Sequence, residues 1–261
     1  MKAYSINLDQ KKIGACFSGG GVKGVAHLGM IKAFEEVGIQ FSAVSGTSSG
    51  AIVAAFYAAG YPAEELLGII KSLSLTKLVR PAWSKKGLLN IEQLKPLFYK
   101  YLAVDKFEEL SIPLTVAAID LVDGQICYFD TGDLILPLMA SCAIPAIFAP
   151  VPIDGKMLID GGMLNNMPVE ALVGRMDVTV GFNCNVIQKG CTDFSLKKNL
   201  ERSLLLAVNV NVQHSQRYCD WYLEAPQLAG YSPLKLEGLD DIFEIGYHYA
   251  KDFLRQQELN A

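Results

Sequence analysis

The sequence predicts an α/β protein with three layers, α/β/α, around a largely parallel central sheet. Three observations carry this expectation. Short apolar runs of strand character alternate with longer segments of helical period. Each of the first two runs passes straight through a glycine-rich turn into a helix, as a parallel β-α-β crossover requires. The chain has 261 residues, 51% of them hydrophobic, enough to bury one large core, and no Pro/Gly/Ser-rich linker or charge run divides it. A single domain over 1–261 is expected, with its core over 12–183 and a helical C-terminal part over 190–261.

Ile13-Gly14-Ala15-Cys16-Phe17 reads as a buried strand. It enters Ser18-Gly19-Gly20-Gly21 and then a helix. The apolar positions Val22, Val25, Ala26, Met30, Ala33, Phe34 and Val37 follow the 3.6-residue period, and Gly38 closes it. Phe41 to Ser45 is a second short strand, and after the turn at Gly46–Gly50 the run Ala51 to Ala59 is an apolar helix closed by Gly60. Pro62-Ala63-Glu64-Glu65 opens another helix, with proline in the first turn and acids beside the positive end. Ile112 to Ile119 and Ile126 to Phe129 are strands joined through Asp123-Gly124, a hairpin turn signal. Leu134 to Ser141 is a short helix, and Met157-Leu158-Ile159 is a strand running into Asp160-Gly161-Gly162. Val178 to Phe182 is a further strand, and Phe194 to Tyr218 reads as helical. There is no internal repeat and no low-complexity tract.

Composition removes several classes of function. A net charge of −4 argues against a general nucleic-acid partner. Cys16, Cys127, Cys142, Cys184, Cys191 and Cys219 are scattered without a Cys-x-x-Cys pair, which favours reduced thiols over disulfides or a zinc site. No metal or cofactor is expected. Met1 to Lys12 is polar and lacks the apolar core of a signal peptide. The longest apolar run, Ala51 to Ala59, is too short to span a bilayer, so a soluble cytoplasmic protein is expected. One stretch points towards lipid. Residues 66–91 hold Lys71, Lys77, Arg80, Lys85 and Lys86 and no carboxylate, interleaved with leucines and Trp83. In an acidic chain this reversal of sign suits transient contact with a membrane surface, peripheral to it, and equally suits a basic solvated loop.

The chemistry gathers at strand ends. Gly46-Thr47-Ser48-Ser49-Gly50 is a Gly-x-Ser-x-Gly pentapeptide between a strand and a helix. There a serine hydroxyl stands clear of the sheet, and the helix N-terminus favours developing negative charge. Alone, the pentapeptide also fits an ordinary glycine-flanked turn. Gly19-x-Gly21-x-x-Gly24 formally matches a dinucleotide fingerprint, yet no Asp or Glu lies between Glu36 and Glu64 to hold a ribose. A P-loop is excluded because no Lys-Ser/Thr follows Gly24. What remains is a row of backbone amides at a helix N-terminus, suited to an anion, with Lys23 adding positive potential. The serine needs a base. His27, His214 and His248 fall in predicted helices without strand-end context. Asp160 ends a strand before two glycines, and a partly desolvated carboxylate can take the proton directly. A triad using His214 or His248 is the rival chemistry, and a turn aspartate is the plain alternative for Asp160.

Glycine loop, serine elbow and Asp-Gly-Gly, each at a strand end and in that order, resemble the patatin-like phospholipases. Ala140-Ser141-Cys142-Ala143-Ile144-Pro145 through Val151 is similar to the family's segment before its aspartate, and Asn165-Asn166-Met167-Pro168-Val169 to the one after it. The likeness covers about 12–183, with a weaker one at Phe243–Tyr247. Lysine rather than arginine at 23, and glycine rather than alanine at 162, are small departures. The resemblance implies an acyl hydrolase acting on lipid esters, with Ser48 as nucleophile, Asp160 as base and no catalytic histidine. Gly19, Gly20, Gly21 and Val22 would form the oxyanion hole, framed by Lys23, Gly24, Gly46, Gly50, Gly161 and Gly162. A non-catalytic lipid-binding scaffold is the alternative from another class, and it would need neither Ser48 nor Asp160.

Overall fold

The computed structural model describes residues 10–72, 81–84, 87–89, 91–190, 192, 195–233 and 235–258. Its strands in chain order are β1 (Ile13–Phe17), β2 (Ala43–Thr47), β3 (Pro81–Ser84), β4 (Gly87–Leu89) and β5 (Leu114–Asp120). They continue with β6 (Gln125–Phe129), β7 (Val151–Ile153), β8 (Lys156–Asp160), β9 (Val178–Asn183) and β10 (Trp221–Glu224). The α-helices are α1 (Val25–Glu36), α2 (Ser49–Ala58), α3 (Ala63–Ser72) and α4 (Lys95–Tyr101). Those of the second half are α5 (Ile135–Ser141), α6 (Gly162–Asn165), α7 (Leu196–Ser215) and α8 (Leu239–Glu258).

Eight strands form one mixed sheet, in which β10, β9, β1, β2 and β5 run parallel in that spatial order. β1, β2, β5 and β9 are buried along their whole length, which is why their sequences are apolar or small throughout instead of alternating. The register along β5 positions the site. β2 pairs with its first half, ending with Thr47 opposite Ala117. β8 pairs antiparallel with its second half, ending with Asp160 opposite Ala118. β6 takes the other edge of β5, from Val116 to Asp120. β2 and β8 therefore share one edge and meet end to end, which sets residue 48 beside residue 160.

The sheet is covered on both faces. Ala15, Phe17, Val44, Val180 and Phe182 join one large apolar cluster with α1, α2, α3, α5 and α8. Cys16, Ala43 and Val212 belong to a smaller cluster with Met167, Val169 and Leu172, where α7 packs. These are the three layers expected. The Phe243–Tyr247 likeness has a packing reason: α8 crosses α1 so closely that a Cβ on Gly246 would fall on the Ala26 carbonyl, and one on Gly29 on the Phe243 carbonyl.

Boundaries differ from the sequence reading in places. The second strand starts and ends two residues later than Phe41–Ser45, because Ser45 and Gly46 still pair with Cys16 and Phe17 of β1. α7 covers Leu196–Ser215, and Gln216–Tyr218 tightens into a 3-10 turn. β3, β4, β7 and β10 are strands that the sequence reading does not contain. Of the basic stretch at 66–91, residues 73–80, 85–86 and 90 lie outside the described residues, and Lys71 pairs with Asp240 of α8. Cys16, Cys127, Cys142, Cys184 and Cys219 are free thiols, and Cys191 lies outside the described residues. Among the described residues no helix is long and apolar enough to cross a membrane.

Candidate active site

Ser48 is the single residue between β2 and α2, and it has φ 55° and ψ −127°. A positive φ is rare outside glycine and persists only where the surroundings enforce it. Here they do. A Cβ on Gly46 would sit 2.6 Å from the Gly50 carbonyl group, and one on Gly50 would fall on the Phe17 carbonyl. Both glycines are thus required by close backbone approach, not by composition. The Ser48 N–H donates to Ser141 Oγ at 2.8 Å, and that hydroxyl donates onward to the Ala117 carbonyl at 2.7 Å. Thr47 Oγ1 donates to the Asn165 carbonyl at 2.9 Å. The residue before the elbow and the elbow itself are pinned to β5 and to the segment after Asp160.

Asp160 closes β8 and gives its N–H to the Ala143 carbonyl at 3.0 Å. Its carboxylate accepts the Gly162 N–H at 2.8 Å and faces the Ser48 hydroxyl, which also donates to it. The side chain is buried. Burial pushes the carboxyl up to about 6, while the bonds from Ser48 and Gly162 pull it back. Such a group is ionised at neutral pH yet basic enough to accept a proton from a reacting hydroxyl.

The glycine loop lies against both. Gly19 N–H donates to the Asn166 carbonyl at 3.1 Å, and Val22 N–H donates to the Pro233 carbonyl at 2.9 Å. Gly20 N–H donates to Ser49 Oγ at 3.1 Å, beside Ser48. The Gly19 carbonyl accepts from Asn166 Nδ2 at 3.1 Å and from Asn185 Nδ2. Because that carbonyl and the Gly20 N–H lie on opposite sides of one planar peptide, pinning the first aims the second at the elbow. Lys23 sits in the 3-10 turn Gly21–Gly24 and is buried. Burial lowers its ammonium pKa, against the opposing charges of Cys184, Glu201 and Glu224. Gly24 leads into α1, and Gly161 and Gly162 make the turn into α6.

The three histidines lie elsewhere. His27 is wholly buried in α1 with Nε2 2.9 Å from the Ser18 carbonyl. His214 is exposed and stands edge-on to Tyr218, and His248 is exposed on α8, 3.4 Å from Glu244. Among the described residues no three His, Cys, Asp or Glu converge as metal ligands. Four residues of the site were not singled out from the sequence: Ser49, Ser141, Asn166 and Asn185. Ser141 and Asn166 stand inside the two segments that carry the family likeness, so a signal existed. Asn185 had none, since it follows β9 and meets the loop only in three dimensions.

A strained serine on a strand-to-helix elbow, facing a buried carboxylate under an amide-lined glycine loop, defines an α/β protein built like a serine hydrolase. The chain belongs to the patatin-like phospholipase family, whose profile matches residues 15–173. It is 33% identical over 183 residues to an uncharacterized NTE family protein of Mycobacterium bovis, covering 69% of this chain and 51% of that protein. It is 25% identical over 287 residues to lysophospholipase NTE1 of Kluyveromyces lactis, covering 97% of this chain and 20% of that protein. The chain thus spans about half the length of the mycobacterial relative and a fifth of the yeast one. Among solved structures, VipD from Legionella pneumophila matches with TM-score 0.63 at 16% identity, over 95% of this chain and 67% of that one. ExoU of Pseudomonas aeruginosa, in its complex with SpcU, matches with TM-score 0.51 at 15% identity, over 95% and 52%. At such identities these two likenesses show the fold.

Proposed function

We propose that the chain is one catalytic domain that hydrolyses carboxylic esters of lipids through a Ser48–Asp160 dyad. Phospholipids, lysophospholipids or acylglycerols are the substrate class. The observation that carries this reading is Ser48 held at positive φ beside the buried Asp160 carboxylate, whose burial pushes its pKa up to about 6. Ser48 Oγ attacks the ester carbonyl carbon as Asp160 accepts its proton. The oxyanion is held by amides of the glycine loop, Gly21 and Gly20 foremost, the latter turning from Ser49 Oγ beside Ser48, while the Gly19 and Val22 amides rest on the Asn166 and Pro233 carbonyls. One such donor is worth about 3 kcal/mol of transition-state stabilisation. Collapse breaks the ester bond, the leaving alcohol takes the proton from Asp160, and the acyl group stays on Ser48. Water then attacks the acyl-enzyme, with Asp160 again as base, and frees the fatty acid and Ser48. The histidine triad finds no support, because His214 and His248 contact Tyr218 and Glu244.

Lysophospholipid, diacyl phospholipid and acylglycerol, offered separately to the purified protein, test the substrate class through release of free fatty acid. Turnover of at least one is expected. Turnover of none, with a short-chain p-nitrophenyl ester hydrolysed normally, would overturn the lipid assignment. The base is tested by pH. With Asp160 as base, kcat/KM on a soluble ester should fall about tenfold per pH unit below about 6 and level off above it. A profile flat from pH 5 to 7 contradicts that role.

The basic stretch 66–91 is proposed to help the protein meet lipid, on the strength of Lys77, Arg80, Lys85 and Lys86 with no carboxylate among them, Lys71 being paired with Asp240 of α8. Each contributes about 1 kcal/mol near an anionic surface and is screened by salt. Changing Lys77, Lys85 and Lys86 to Glu should weaken pelleting with anionic vesicles at low salt and leave hydrolysis of a soluble ester unchanged. Equal pelleting of parent and variant would make the cluster a solvated face.

A further inference from the structure

The segment that leaves β9 lies directly behind the glycine loop. A Cβ on Gly20 would fall on Cys184 Sγ and stand 3.0 Å from Asn185 Oδ1. Asn185 is buried, and it lies outside residues 15–173, so the family match assigns it nothing. Its amide nitrogen donates to the Gly19 carbonyl, which also takes Asn166 Nδ2 at 3.1 Å and the Cys184 thiol at 3.6 Å. A carbonyl oxygen can only accept, so both asparagines must present nitrogen to it. One donor would satisfy this buried carbonyl. Amides arriving from two separate segments also fix its direction.

Asn185 is itself held. Its N–H donates to Asn183 Oδ1 at 3.0 Å, at the end of β9. Asn183 Nδ2 donates to Tyr222 Oη at 3.0 Å and to Glu224 Oε2 at 2.6 Å on the neighbouring β10, and Tyr222 Oη donates to the same carboxylate. The Cys184 N–H donates to Ser18 Oγ at 3.1 Å. A chain of hydrogen bonds thus runs from the sheet edge to the peptide that joins Gly19 to Gly20. Buried networks whose members are all paired are rigid, and successive bonds polarise one another. Donors on the Gly19 carbonyl therefore hold the peptide plane and make the Gly20 N–H a stronger donor.

We propose that Asn185 is a positioning residue of the oxyanion hole, which acts through the Gly19 carbonyl to aim and strengthen the Gly20 N–H toward the oxygen of the tetrahedral intermediate. This rests on the ester-hydrolase reading above. Losing an oxyanion donor outright costs about 10²- to 10³-fold in kcat, and a donor that stays in place but is misaimed costs less. Asn185→Ala should therefore lower kcat on p-nitrophenyl butyrate about 10- to 100-fold, with KM within about threefold of the parent's. Asn185→Asp keeps the side chain's size but turns a donor into an acceptor, and should lose at least as much.

Turnover is expressed per competent site, counted by a fluorophosphonate taken to completion, so that any unfolded fraction drops out. Affinity for a trifluoromethyl ketone is measured beside it. Attack of Ser48 Oγ on that carbonyl, with the hydroxyl proton passing to Asp160, leaves a tetrahedral adduct whose oxyanion occupies the hole. Its affinity should fall by about the same factor as kcat/KM. The pH at which kcat/KM falls should stay at the parent's value, since Asp160 is untouched. Should Asn185→Ala not fold, Asn185→Asp and Asn185→Ser carry the same test. Parental kcat per competent site in the folded variants would overturn the proposal, as would a loss confined to KM or an unchanged affinity for the ketone. A parent that neither hydrolyses esters nor takes the label would remove the hydrolase reading, and this role with it. An active parent whose variants match it would remove the role of Asn185 alone.

Discussion

Ser48→Ala should lower ester hydrolysis on the order of 10⁴-fold or more, with the fold intact. Only Oγ is removed. The N–H that anchors the elbow to Ser141 remains, as do Gly46 and Gly50, whose missing side chains permit the turn. Alanine must adopt the same positive φ of 55°, at a modest cost in strain that leaves the melting temperature within a few degrees. Turnover of a p-nitrophenyl ester beside a thermal melt checks both halves. More than trace activity in the folded variant would mean that Ser48 is not the nucleophile.

Asp160→Asn should be almost as damaging, because a nucleophile and its base act as one unit and their losses do not add. The same substitution should stabilise the protein. The native carboxyl, at about 6, lies above its ordinary value of 3.8, so the folded state holds the proton more tightly than the unfolded chain. Ionised Asp160 therefore costs stability above pH about 6, the cost shrinks as pH falls, and below about 4 it is gone. That rise corresponds to roughly 3 kcal/mol at neutral pH, an upper bound because Asn also loses the bond from Ser48. Urea unfolding at pH 4 and pH 8 should show the variant gaining on the parent only at the higher pH. His214→Gln and His248→Gln should leave turnover near that of the parent. Collapse of turnover in either, with normal folding, would replace the dyad by a triad.

How far these features were legible depends on what each rests upon. Ile13–Phe17 and Val178–Asn183 stand out because strands buried on both faces must be continuously apolar or small. The serine elbow is legible because backbone crowding demands glycine at both 46 and 50, a local signature of a tertiary fact. Asp160 shows through its glycines alone. What brings it to Ser48, the end-to-end meeting of β2 and β8 along β5, is a matter of register between distant segments, and no local pattern records it. β10 hides because Trp221–Glu224 is short and on the sheet edge. β7 was readable: Asp154 and Gly155 both adopt positive φ in the hairpin to β8, a turn that an Asp-Gly pair signals.

The most direct test of the dyad is the site and rate of labelling by a fluorophosphonate, followed by intact and peptide mass spectrometry. One adduct per chain is predicted, on the peptide that carries Ser48. It should be absent in Ser48→Ala and form much more slowly in Asp160→Asn, in which the carboxylate that accepts the hydroxyl proton is gone. An adduct on any other residue, or labelling of Asp160→Asn at the parent's rate, would contradict a serine activated by that carboxylate.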